Sequence, residues 1–161
     1  MFKFEEKLYK FLAYVCGILI LAMTLLIFWQ VVCRYVMNNS LTWSEELGRY
    51  IFVWITFIGT PVALKHGSHV AIDLLLQKVH GKVHTLILAV NYLIMAIIGI
   101  LICYSGCKLF LVGVGQISSA MQIPMEYVYS IIPFSGLALC FFAVTGFLHE
   151  HQKLTNDNKG E

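Results

Sequence analysis

Four stretches of roughly 20 apolar residues occupy most of this chain, and each is long enough to cross the ~30 Å hydrocarbon core of a bilayer as a helix. A water-soluble fold could not cover so much apolar surface. Of the 161 residues, 59% are hydrophobic and 12% charged, against roughly 45–50% and about 25% in soluble domains. Inside lipid, backbone polar groups must be satisfied within the spanning segment. The expected fold class is therefore all-α integral membrane, with four transmembrane helices in a single domain over 1–161. The spans are expected at approximately 11–33, 42–64, 83–112 and 127–148. The first run is too long for a signal peptide and lacks a small-residue cleavage site after it, so it is expected to remain as a span.

The polar segments between the spans carry the local signals. Residues 1–10 mix Phe2, Phe4, Leu8 and Tyr9 with Lys3, Glu5, Glu6, Lys7 and Lys10, a pattern suited to a lead-in at the lipid headgroups that runs into the first span. Asn38-Asn39-Ser40 is a turn signal, and Thr42-Trp43-Ser44-Glu45 has the spacing of a capping box opening the second helix. That helix must then include Glu45, Glu46 and Arg49 in its first turns. Pro61, near its other end, removes one backbone hydrogen bond, which a neighbouring helix or a local kink must accommodate. Between spans 2 and 3, His69, Asp73, Gln77 and His80 form a polar stripe opposite Ile72, Leu75, Leu76 and Val79. About a dozen residues cannot span, so a short amphipathic helix over approximately 69–80 is expected to lie in the interface plane. The segment 113–124 is a Gly- and Ser-rich loop. The tail 149–161 is polar, and its end is expected to lack regular structure.

Basic residues set the expected orientation. Lys3, Lys7, Lys10, Lys65, Lys78, Lys82, Lys153 and Lys159 fall on one side of the membrane, and Arg34, Arg49 and Lys108 on the other. The positive-inside rule places both termini in the cytoplasm and the hairpin between Arg34 and Arg49 outside. A formal charge of +2 without a basic tract gives no reason to expect nucleic-acid binding.

No arrangement suggests catalysis. Nucleophile motifs, phosphate-binding loops and mid-span acid–base pairs are absent from the sequence. The pairs His66/His69 and His80/His84 lack the further ligands that zinc needs, and every histidine lies near a span end, whereas a haem between spans would want deep ones. The expected complement of metals and cofactors is none, and the chain is expected not to be an enzyme. Cys16, Cys33, Cys103, Cys107 and Cys140 read as small packing residues, as do Gly99, Gly106, Gly136 and Gly146.

The hairpin Arg34, Trp43, Glu45, Glu46, Arg49 is the most informative polar cluster. Arg49 follows Glu45 by four residues and Glu46 by three, so either carboxylate can reach it along a helix. The simplest reading is a self-neutralising structural cluster; a sharper one is a docking surface for a partner protein. Trp54, His69 and Asp73 read as interfacial anchors.

Arg34-Tyr35-Val36, Leu41-Thr42-Trp43-Ser44-Glu45-Glu46-Leu47, Arg49-Tyr50, Phe52-Val53-Trp54, Gly59, Ala63, Gly67, His69-Val70 and Asp73 together form an ordered pattern. It resembles the small membrane subunit of TRAP transporters, the DctQ or Q-type family. A weaker match continues at Ser119, Ile123-Pro124, Tyr129 and Pro133. The resemblance implies a scaffold subunit, paired as a heterodimer with a large elevator-type membrane subunit and served by a periplasmic substrate-binding protein. It implies sodium-coupled uptake of organic acids, of C4-dicarboxylate or sialic acid type, across the bacterial inner membrane. Two alternatives stand beside it: a haem- or quinone-binding anchor of a redox enzyme, and a self-contained small exporter.

Overall fold

The computed structural model describes residues 2–37, 41–65 and 82–157. The expected interfacial helix over 69–80, with His69 and Asp73, and the turn Asn38-Asn39-Ser40 fall outside the described residues. Most of the described residues are helical: α1 (Phe2–Tyr35), α2 (Thr42–Lys65), α3 (Lys82–Gly113), a short α4 (Met125–Tyr129) and α5 (Ile131–Asp157). Among the described residues, four segments are long and apolar enough to cross a membrane, the last being α4 and α5 taken together. The lead-in is continuous with the first span. The tail is helical to Asp157, and its end, over 158–161, lies outside the described residues.

Two prolines shape the spans differently. In α2, Pro61 lies inside an uninterrupted helix. Its missing N–H would have bonded the carbonyl of Phe57, and the Ser135 hydroxyl of α5 donates to that carbonyl instead. A backbone defect in one helix thus becomes a tie to its neighbour. Pro133 has the opposite effect. Its ring crowds the carbonyl four residues earlier, that of Tyr129, and the fourth span breaks there into α4 and α5, with Ser130 between them. Its helix starts at Met125 and carries this break, where a single run from 127 was expected.

The helices lie side by side in the order α1, α2, α5, α3. The ion pair between Glu5 and Lys65 brings the start of α1 to the end of α2, so these two run antiparallel. The α3 and α5 helices also run antiparallel: Tyr92 meets Phe147 edge-on at 6.3 Å, and the Cys140 thiol lies 3.5 Å from the carbonyl of Ala96. The middle pair is parallel, since Trp54 reaches Val128 and Phe57 reaches Ser135. Being central, α5 is the most enclosed. In the most apolar stretch of the α4–α5 span 44% of residues are buried, against 6% in α1. Leu12, Ile58, Ile131, Ala138 and Phe142 form a buried cluster drawn from α1, α2 and α5.

Lipid tails are as apolar as the side chains, so helices in a membrane associate through close packing and hydrogen bonds. The α3–α5 contact shows this most clearly. Gly99, Gly106 and Gly113 recur every seven residues and so share one face of α3. A Cβ on Gly106 would lie 2.6 Å from the nitrogen of Pro133, and one on Gly136 would lie 2.5 Å from the nitrogen of Cys103. Between α1 and α2 the packing is ordinary: a Cβ on Gly59 would sit 3.8 Å from the Cys16 sulfur. Of the glycines read as packing residues, Gly99, Gly106 and Gly136 lie where backbones approach, while Gly146 packs against the Tyr92 ring.

Gly136→Ala would force backbone apart, and overpacking of this kind costs about 1–3 kcal/mol. Nothing lies within 4 Å of the corresponding position on Gly17. Thermal unfolding in detergent is expected to show a lowered midpoint for Gly136→Ala and an unchanged or raised one for Gly17→Ala. Equal midpoints for the two variants would mean that glycine contacts do not hold α3 to α5.

Candidate functional site

At the end of the bundle away from the chain termini, the start of α2 meets the loop between α3 and α4. The loop is a small hairpin. Ile117 and Pro124 pair as an isolated antiparallel bridge, the Ser118 N–H donates to Ile123 at 2.9 Å, and the Met125 N–H donates to Gln116 at 2.9 Å. The Ser118 hydroxyl, itself buried, accepts from the Ile123 N–H at 3.1 Å. Gly115 and Gln122 have φ of 81° and 55°, left-handed conformations that tight turns need and that cost glycine little.

This hairpin turns the amides of Ala120 and Met121 toward α2. Both donate to one carboxylate oxygen of Glu46, at 2.8 and 2.9 Å. The Tyr50 hydroxyl, one helical turn further along α2, donates to the other oxygen and lies 3.4 Å from the Met125 sulfur. Glu46 is only 4% exposed. Successive amides converging on an anion form a concave site of fixed partial positive charge, and a carboxylate near a helix start is also favoured by the helix dipole. Here the anion belongs to the same chain.

The expected pairing of carboxylates with Arg49 is therefore not what forms. Among the described residues neither Glu45 nor Glu46 makes an ion pair with Arg49 or Arg34. The physical reason is competition: both oxygens of Glu46 are already taken, one by the amides of Ala120 and Met121 and the other by the Tyr50 hydroxyl. Glu46 is buried against the loop and captured by its amides, whereas Glu45 and Arg49 stay exposed, Arg49 on the lining of the cleft beside the loop. The helix start also differs from the expected capping box: Thr42 is already helical, and the Ser44 hydroxyl donates to the carbonyl of Leu41 at 2.7 Å. Trp43 and Arg34 are exposed beside this end. Trp54 is half-buried against the core cluster, and its indole N–H donates to the Val128 carbonyl at 3.3 Å, tying α2 to α4.

Beside Glu46 an open cleft of about 750 Å³ runs between α2 and the α3–α4 loop, with Arg49, Tyr50, Ser119 and Tyr129 near its polar part and Phe57 and Ile132 in its apolar part. No group of three His, Cys, Asp or Glu side chains that could hold a metal occurs among the described residues.

At the opposite end Glu5, 2% exposed, pairs with Lys65. Reading residues 1–10 as an amphipathic lead-in missed this contact. The opposite charges of Glu5 and Lys65 at one membrane level of an antiparallel hairpin were the available signal. Glu6, one residue on, makes only an exposed pair with Lys10, at 2.8 Å.

Residues 23–152 match the family described as Tripartite ATP-independent periplasmic transporters, DctQ component. The chain is similar to a Haemophilus influenzae protein provisionally named as a TRAP transporter small permease protein, with 24% identity over 84% of each chain. It is 32% identical to the sialic acid TRAP transporter small permease protein SiaQ of Vibrio cholerae, over 52% of this chain and 49% of that one. It is 27% identical to the isethionate TRAP transporter permease protein DctMQ of Oleidesulfovibrio alaskensis, over 71% of this chain but only 19% of that much longer protein.

The two exposures separate the carboxylates Glu5 and Glu6 experimentally. Breaking a buried pair by removing one partner costs about 3–5 kcal/mol, here toward the lower figure because the Lys65 side chain remains 34% exposed. An exposed i,i+4 pair is worth about 0.3–0.5 kcal/mol. Glu5→Ala is expected to destabilise the detergent-solubilised protein well beyond Glu6→Ala, and adding Lys65→Met to Glu5→Ala to recover part of the loss. Equal effects of the two alanine variants would contradict the buried pair.

Proposed function

The chain belongs to the DctQ component family of the tripartite ATP-independent periplasmic transporters, and we propose that in such a transporter it is a stationary brace for the large membrane subunit. The observation that carries this reading is the arrangement of the helices. With α1 and α3 at the outer positions of a row, large apolar side chains stand exposed along both, among them Ile18, Leu25, Phe28, Leu93, Ile97 and Leu101. The ionisable residues of the spans lie toward their ends, so no charged side chain is available at mid-membrane to bind or couple a solute. Such a chain offers long apolar faces to lipid and to a larger neighbour, and little with which to move an ion itself.

The relative DctMQ supports pairing as a heterodimer, because the segment that this chain matches is there a minor part of one longer permease polypeptide. In the proposed assembly the chain sits in the bacterial inner membrane with both termini in the cytoplasm, an orientation supported by its eight basic residues on that side. The end bearing Glu45, Arg49 and the 113–124 loop then faces the periplasm and offers part of the docking surface for the substrate-binding protein. The cargo is an organic acid, of C4-dicarboxylate or sialic acid type, taken up with sodium. Its anionic class is supported by the sialic acid and isethionate in the names of two relatives.

Purification of the tagged chain in mild detergent, from cells that also express the large subunit, is expected to yield a one-to-one complex. Recovery of the chain free of the large subunit would contradict the brace. Glu45 is exposed and unpaired among the described residues, and charges at an interface rim act mainly on encounter. Glu45→Lys is therefore expected to raise several-fold the concentration of binding protein that gives half-maximal uptake, most clearly at low salt. Wild-type dependence on binding protein in that variant would remove Glu45 from docking.

A further inference from the structure

We propose that Glu46 is a positioning residue: its carboxylate is an internal anion seated on the amides of Ala120 and Met121, and it sets where the loop between α3 and α4 stands for docking. This rests on the docking role proposed above and deepens it. Glu46 itself cannot be a docking charge. It is 4% exposed, and its two oxygens are taken by the loop amides and by the Tyr50 hydroxyl. A protein arriving from solution meets Glu45 and Arg49, which are exposed on the adjoining face. Adjacent acidic residues thus divide the work: Glu45 meets the partner, and Glu46 holds the surface that the partner meets.

The loop has a fold of its own and one main attachment. Its internal backbone hydrogen bonds, from the Ser118 N–H to Ile123 and from the Met125 N–H to Gln116, do not involve Glu46, whereas the Ser118 hydroxyl, which accepts from the Ile123 N–H, also interacts with the Glu46 carboxylate. At its base Gly115 lies in the left-handed region with nothing within 4 Å of its would-be Cβ. The hairpin can therefore persist as a unit when the latch opens, while its tip, carrying Ala120 and Met121, loses its seat on α2. Tyr50 contributes on both sides of the latch, through Glu46 and through its contact with Met125.

The test uses the assembled small and large subunits in liposomes, with hydrogen exchange of the 114–124 segment and uptake driven by added binding protein as paired readouts. Glu46→Gln keeps the shape of the side chain but removes the charge that strengthens the amide bonds. Exchange in 114–124 is expected to rise about tenfold or more, the scale of one charge-assisted hydrogen bond, with exchange in the four spans unchanged. Half-maximal uptake is expected to need several-fold more binding protein, with the maximal rate preserved. Tyr50→Phe, which leaves both amide bonds in place, is expected to give a smaller change of the same kind, and Glu45→Gln to leave loop exchange as it was. Unchanged loop exchange in Glu46→Gln would overturn the latch and leave docking to be judged by Glu45. Raised exchange with wild-type dependence on binding protein would overturn the proposal from the other side, by removing the loop from docking. Raised exchange throughout the helices would make Glu46 a general stability residue and equally overturn it.

Discussion

The seam between α2 and the α4–α5 segment is the joint on which this structure depends. It unites two helical hairpins, α1 with α2 and α3 with α5, that would otherwise share little contact. No hydrophobic force draws helices together in lipid, so the seam must rest on packing and on polar ties. It has a series of them along its length: Glu46 to the loop amides, Tyr50 toward Met125, Trp54 to Val128, and Ser135 to the carbonyl that Pro61 leaves open. Each joins a group that would be costly to leave unpaired in a low-dielectric setting. The proline is part of the design in this physical sense, since without it the Phe57 carbonyl would be occupied within its own helix.

A parallel pair flanked by antiparallel neighbours gives a row, and the outer members of a row have partners on one side only. That geometry accounts for the contrast between a well-enclosed α5 and a nearly bare α1. It also suits a subunit of the transporter family to which the chain belongs. A surface built from helices side by side can lie along a larger membrane protein, anchored at one end by the buried Glu5–Lys65 pair and at the other by the latched loop. The two ends use charge differently. One neutralises a buried carboxylate with a lysine; the other neutralises it with backbone dipoles and a hydroxyl and so leaves Arg49 free at the surface.

The sequence made some of this legible and concealed the rest for identifiable reasons. Four helices and their approximate extents follow from run length and charge placement, because hydrocarbon imposes one secondary structure on the chain. Pro61 announced that a carbonyl would need an outside donor, but not that Ser135 would be the donor, since helix neighbours are not written in periodicity. Spacing along α2 offered Arg49 as the partner of Glu46. The amides of Ala120 and Met121 won instead, and backbone groups leave no trace in residue identity. Glu5 and Glu6 look alike in the sequence yet differ in exposure, because one residue of helical rotation turns Glu5 toward Lys65 and Glu6 toward solvent. The heptad spacing of Gly99, Gly106 and Gly113 is a clue to a close seam, of which the sequence reading takes in only Gly99 and Gly106 as packing residues.

In the proposed assembly this chain braces the large subunit and does not itself carry solute. Reconstitution into liposomes under an inward sodium gradient, with the binding protein and a radiolabelled organic acid outside, separates bracing from carriage. Vesicles holding this chain alone are expected to show only passive leak, and vesicles holding it with the large subunit to accumulate the label. Sodium-dependent accumulation by the chain alone would contradict the account.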